Sequence, residues 1–222
     1  MSLLFHAGEI LERDRGLTFD DVLLVPKHCE IESRRLPDLA TQVTKRFRLD
    51  TPIISANMDT VTESEMAQAM ASLGGLGIIH RFMPLEQQVQ QVKETKQFFE
   101  ENKICLPISA SIGVKQDGQE RADALVTAGV DILTVDIAHG DSVMMYQTLE
   151  YVKKHFSHVD VIAGNTATPE GAQGLIDHGA DAIKVGIGPG SMCTTRMITG
   201  CGLPQLTAIA LCVQVAKSHQ IP

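Results

Sequence analysis

A cysteine at the edge of a glycine-rich turn has the makings of a nucleophile. This chain carries one at Cys193, within Lys184-Val185-Gly186-Ile187-Gly188-Pro189-Gly190-Ser191-Met192-Cys193-Thr194. The glycines admit positive φ and let the backbone approach a ligand closely. Successive N–H groups in such a turn form a nest that can hold an anion such as phosphate, and Ser191 adds a hydroxyl donor. A cysteine reacts as its thiolate, which neighbouring N–H dipoles or a cation favour. The carbonyls of Gly188, Gly190 and Cys193 could also face a monovalent cation, because backbone oxygens can replace its water shell. Glycine-rich turns after strands also serve geometry alone. The company of Ser191, Cys193, Thr194, Thr195 and Arg196 favours a loop that binds a phosphorylated substrate and attacks it.

Regular elements must position that loop. Apolar runs at 52–56, 76–79, 107–112, 131–135, 159–163 and 182–185 predict strands. Helical spacing predicts the elements between them. Met66, Ala69, Met70 and Leu73 mark the buried face of the first helix, and Leu85, Val89, Val92 and Phe99 that of the second, with Pro84 in its first turn. Asp117 to Ala128 is the third, with Gly129 at its C-cap. Met145, Leu149, Val152 and Phe156 mark the fourth. Thr168-Pro169-Glu170 starts the fifth, which ends at Gly179, and Leu206 to Lys217 is the sixth. Ile221-Pro222 reads as the start of another strand.

Such a series predicts a parallel α/β fold, either a doubly wound sheet or a barrel. Asn57 and Asp59, His80 and Arg81, Asp136 and His139, Asn165 and Cys193 all follow predicted strands. Contributions from so many C-terminal strand ends fit a (β/α)8 TIM barrel better than an open sheet with one switch point. With about six βα units the barrel is incomplete. Residues 1–50 form an N-terminal extension, and 51–222 the catalytic barrel. Leu17 to Pro26 and Thr41 to Arg48 are predicted as short strands that cap the barrel's N-terminal face.

Composition narrows the class. The chain has 222 residues, 44% of them hydrophobic, and a formal net charge of −8, which argues against nucleic acid as the main partner. Five cysteines without paired short spacing argue against a disulfide framework or a zinc site. Met1 to Glu12 lacks the pattern of a secretory signal, and no apolar stretch is long enough for a membrane span, so a soluble cytoplasmic protein is expected. Cys29, Cys105 and Cys212 are expected as small apolar fillers, and Cys201 as a loop residue. His80 and His139 are expected as hydrogen-bonded loop residues, Glu63 and Glu65 as a helix start, and Lys153-Lys154 as a solvated face.

Gly186 to Arg196 resembles the catalytic loop of the IMP dehydrogenase/GMP reductase family. Leu17-Thr18-Phe19-Asp20-Asp21-Val22-Leu23-Leu24-Val25-Pro26 resembles that family's N-terminal signature, and Asn57-Met58-Asp59-Thr60-Val61 and Ala163-Gly164-Asn165 match in order. The likeness runs from about Gly16 to Pro222.

The resemblance implies a barrel enzyme, usually a homotetramer, in which Cys193 attacks the purine C2 of GMP or IMP to form a covalent intermediate. Ser191 and Gly190 would meet the 5′-phosphate side, Met58 and Asn57 the base side, and Thr195 the leaving group or water. Asp136, Ala138, Asn165 and Gly186 would line the nicotinamide side. Potassium or another monovalent cation would sit on the carbonyls of Gly188, Gly190 and Cys193.

Within that resemblance, Asn57, Asp136-Ile137-Ala138-His139-Gly140, His80-Arg81-Phe82, Ser111-Ile112-Gly113-Val114-Lys115, and Ala163-Gly164-Asn165 with Thr168-Pro169-Glu170 look closer to the reductase branch, which implies GMP reduction with NADPH over IMP oxidation with NAD. Asp59-Thr60-Val61-Thr62-Glu63 and Gly202-Leu203-Pro204-Gln205 lean towards the dehydrogenase. The regulatory nucleotide-binding modules that most dehydrogenases insert are not found in the short 101–106 loop. A chain truly ending at Pro222 would instead be expected to behave as a non-catalytic nucleotide-binding fragment, without turnover and with a low, broad melting transition.

Overall fold

A computed structural model describes residues 15–115 and 117–222. The expectation for Met1 to Glu12 lies outside them. Two short strands, β1 (Thr41–Gln42) and β2 (Arg48–Leu49), pair as an antiparallel hairpin. Six further strands follow: β3 (Ile54–Ser55), β4 (Leu76–Ile79), β5 (Ser109–Ile112), β6 (Ile132–Asp136), β7 (Asp160–Thr166) and β8 (Ala182–Val185). They form one parallel sheet in sequence order. The connecting helices are α1 (Ser64–Ser72), α2 (Leu85–Asn102), α3 (Asp117–Ala128), α4 (Val143–His155) and α5 (Pro169–Asp177). Beyond β8 come α6 (Thr194–Thr199) and α7 (Gln205–Ser218).

The sheet is an α/β incomplete barrel, curled around a lumen. Strand alternation assigns its two faces. Ile78, Ile132, Ile162 and Ala182 point inward, where they meet Val43 and Leu49 of the hairpin. Ile79, Leu133, Val161 and Ala163 point outward, under Leu125, Met145, Leu149 and Leu175 of the helices. The carbonyl of Pro222 accepts the Ile183 N–H at 3.0 Å, so the chain's last residue lies beside β8 as a new strand would.

Several expectations need correction. Leu17–Pro26 is not a strand. Thr18 and Asp21 satisfy each other's backbone in a capping box around a 3-10 turn at Phe19–Asp21. Such local side-chain bonds compete with a sheet ladder. Leu23 and Leu24 beyond it are 95% and 98% exposed.

The buried face of α1 is not the methionine stripe but Ser64, Ala67 and Ala71, while Met66 and Leu73 are exposed. The cause is close packing of small residues, since a Cβ on Gly77 of β4 would collide with the Ala67 Cα. Cys29 and Cys105 are exposed rather than core fillers, and Cys212 alone of those three is buried. Lys153 is not simply solvated, because its Nζ lies 2.8 Å from Asp181. The short helix α6 was not anticipated.

Candidate active site

Four strand ends meet at the C-terminal rim. Asn57, just past β3, is buried and donates from Nδ2 to Asp136 Oδ2 of β6 at 2.7 Å. Lys184 of β8 reaches Asp136 Oδ1 at 2.9 Å and Asn165 Oδ1 of β7 at 3.1 Å. Asn165 donates from Nδ2 to the Gly186 carbonyl at 2.7 Å. Charge and hydrogen bonding thus run unbroken from β3 to the first residue of the cysteine loop.

That loop is held from both sides. The Gly186 N–H donates to the Thr166 carbonyl at 2.8 Å, and the Leu203 N–H to Ile187 at 3.0 Å. Gln205, at the start of α7, donates from Nε2 to the Val185 carbonyl at 3.0 Å. Gly186 and Gly188 have φ of +135° and +60°, and a Cβ on Gly188 would stand 2.5 Å from the Cys201 carbonyl. Side chains are excluded there twice over, by conformation and by space. Gly190 differs: nothing approaches its would-be Cβ within 4 Å, so packing does not require a glycine there.

Cys193 is the N-cap of α6 and is only partly exposed. The backbone of Arg196 holds its thiol below the ordinary range, assisted by the Thr195 backbone and hydroxyl and by the Gly188 backbone. N–H groups directed at sulfur stabilise the charged form and so favour the nucleophilic thiolate.

A cavity of about 390 Å³ opens beside the sulfur, lined by Ala138, Asn165, Lys184, Gly186, Cys193 and Thr195 among others. Gly188 also lines it. Asp136 reaches this wall through Lys184, and Asn57 through Asp136. Met58 is 54% exposed, and Ser191 and Gly190 are exposed at the rim, outside the lining. His139 and Cys201 are exposed, and no described residue group combines three His, Cys, Asp or Glu side chains as a metal cluster. His80 is buried; its Nδ1 accepts the Phe82 N–H at 3.0 Å and its Nε2 faces Glu63 at 3.3 Å. Lys184 was given no role by sequence reasoning. Its signal was a lone charge inside the apolar strand Ala182-Ile183-Lys184-Val185.

An incomplete parallel barrel with a cysteine loop after β8 and a polar network across the strand ends defines a βα-barrel protein whose polar groups gather at the C-terminal face. The chain belongs to the IMP dehydrogenase / GMP reductase domain family, whose model matches residues 16–222. It is 42% identical to an inosine-5′-monophosphate dehydrogenase of Cryptosporidium parvum, with 94% of this chain and 60% of that protein covered. It is 33% identical to an inosine-5′-monophosphate dehydrogenase of Nitrosopumilus maritimus, over 96% of this chain and 69% of that protein. A GMP reductase of Leishmania donovani is 29% identical over 97% of this chain and 70% of its own length. The chain therefore spans about 60–70% of the length of these relatives.

Proposed function

We propose that the chain is the larger part of a purine-nucleotide oxidoreductase acting through Cys193, with GMP reduction to IMP as its reaction. The observation that carries this reading is the Cys193 thiol, held low by backbone donors, at the mouth of a cavity walled by Asn165 and Lys184. The thiolate adds to C2 of GMP, the 2-amino group leaves as ammonia, and the thiolate departs once C2 has gained a hydride. NADPH supplies that hydride when bound.

Thr195, which lines the same cavity as Cys193, delivers a proton to the departing nitrogen. Ser191 and Gly190 hold the phosphate, and Met58 packs on the base, with Asn57 behind it. Asp136, Ala138, Asn165 and Gly186 form the nicotinamide side, where the small Ala138 leaves room for a flat ring. A monovalent cation would rest on the Gly188, Gly190 and Cys193 carbonyls. The last two already accept N–H groups from Cys193 and Met197, which leaves each one lone pair for the ion. A cytoplasmic homotetramer without nucleic-acid or membrane partners completes the reading. No helix among the described residues is long and apolar enough to cross a membrane.

IMP oxidation with NAD is the second reading, favoured by the higher identity to proteins named as dehydrogenases. One assay separates them. The chain is given GMP with NADPH and, separately, IMP with NAD, and the nicotinamide absorbance is followed. Loss of NADPH supports the reductase, and NADH formation from IMP supports the dehydrogenase. Nucleotide binding without either change supports a non-catalytic fragment.

A further inference from the structure

We infer that Lys184 is a positioning residue that couples the Asp136 side of the rim to the nucleophile loop, so that Cys193 reactivity depends on a side chain remote from it in sequence. Lys184 is the hub of the rim network. Its ammonium bridges Asp136 at 2.9 Å and the Asn165 carbonyl oxygen at 3.1 Å. Fixing that oxygen directs the Asn165 amide nitrogen at the Gly186 carbonyl, 2.7 Å away. Asn57 secures the far oxygen of Asp136 at 2.7 Å. An amide whose oxygen and nitrogen are both engaged has one orientation, so the loop's first carbonyl is pinned through Lys184. Gly186 in turn sets the path to Gly188, where a Cβ would stand 3.2 Å from the Arg196 Cβ of α6, the helix that Cys193 caps.

The coupling gives the site a purpose for a half-buried cation on β8. Whatever binds against Asp136 and displaces Lys184 from it alters the grip on Gly186. The inference rests on the oxidoreductase reading only for the identity of that ligand. The coupling itself concerns the thiol.

The test is therefore made without substrate, by the rate of iodoacetamide alkylation at each cysteine, read by peptide mass mapping at one fixed pH. Exposed Cys105, remote from the loop, and buried Cys212 are internal controls for surface reactivity and for unfolding. Lys184→Met and Asn165→Ala should each slow Cys193 by several-fold while Cys105 and Cys212 keep their wild-type rates. Lys184→Arg, which can hold both oxygens, should restore most of the rate. The double variant should be no slower than the worse single one, because both residues act on one contact. An unchanged Cys193 rate in Lys184→Met would overturn the inference, as would additive losses, which would mean that Lys184 acts by charge alone. Labelling of Cys212 in Lys184→Met would also overturn it, by making the role structural. An alkylation pattern as expected beside absent hydride transfer would leave the coupling standing and remove only the oxidoreductase reading.

Discussion

The floor and the rim of this barrel handle charge in opposite ways. At the floor, Asp160 is 2% exposed and is matched completely: it accepts from Thr44 Oγ1 and from Arg46 Nε, both at 2.6 Å. Asp181 nearby accepts from Lys153 and from the Val161 N–H at 2.8 and 2.9 Å, with Lys45 at 3.7 Å. At the rim, Asp136 is paired with Lys184 beside an open cavity, and Ser191, Met192 and Thr194 face solvent. The floor commits its charges to holding a hairpin whose Val43 and Leu49 pack against the inward face of the strands. The rim leaves polar groups available to a ligand. This is the division of labour expected of a βα barrel, with stability at the N-terminal face and chemistry at the C-terminal face.

The largest effect on stability should come from the floor. Asp160→Ala leaves the buried Thr44 hydroxyl without its acceptor and releases the more exposed Arg46, and breaking a fully buried pair costs about 3–5 kcal/mol. Arg46 also bonds the His158 carbonyl and is partly exposed, so the lower end, about 3 kcal/mol, is expected in urea unfolding. A loss no larger than that of an exposed substitution such as Lys154→Ala would erase the contrast between the two faces. Gly77→Ala comes next. It drives a methyl into Ala67 of α1, and overpacking typically costs about 1–3 kcal/mol. A stabilised Gly77→Ala protein would show that the α1–β4 contact is looser than described.

Those two positions also show what sequence reveals. The strands and helices were legible because their hydrophobic periods are local: β4, α3 and β8 fall at their expected bounds. Placement of the loop cysteine followed from strand order alone. The α1 face was misassigned because helical spacing selected Met66, Ala69, Met70 and Leu73, whereas the tight approach of Ala67 to Gly77 turns a small-residue face inward, a fact about two elements at once. Leu17–Pro26 misled for a similar reason: alternation suggested a strand, but Thr18 and Asp21 settle their backbone bonds between themselves. Lys184, quoted at the head of the loop, was given no role because that role exists only where β6, β7 and β8 lie side by side. The helix α6, six residues long, is too short to carry a period.

The smallest effect on stability should come from the residue with the largest effect on chemistry. Cys193 sits at the rim, contributes no apolar contact to either core cluster, and caps α6 without a side-chain hydrogen bond. Cys193→Ala should therefore leave the urea midpoint unchanged while abolishing whichever nicotinamide reaction the wild type performs. Retained turnover would mean that the nucleophile is elsewhere. In the wild type the sign of the thiol shift gives a further check. Backbone donors from Arg196, Thr195 and Gly188 favour the thiolate, so the Cys193 pKa is depressed. The alkylation rate at Cys193 should accordingly reach half its plateau at a pH below that of an ordinary cysteine, and fall as pH drops through that lower value. A profile centred at or above the ordinary thiol range would show that the rim does not prepare its cysteine, and the difference between rim and floor would then be one of exposure only.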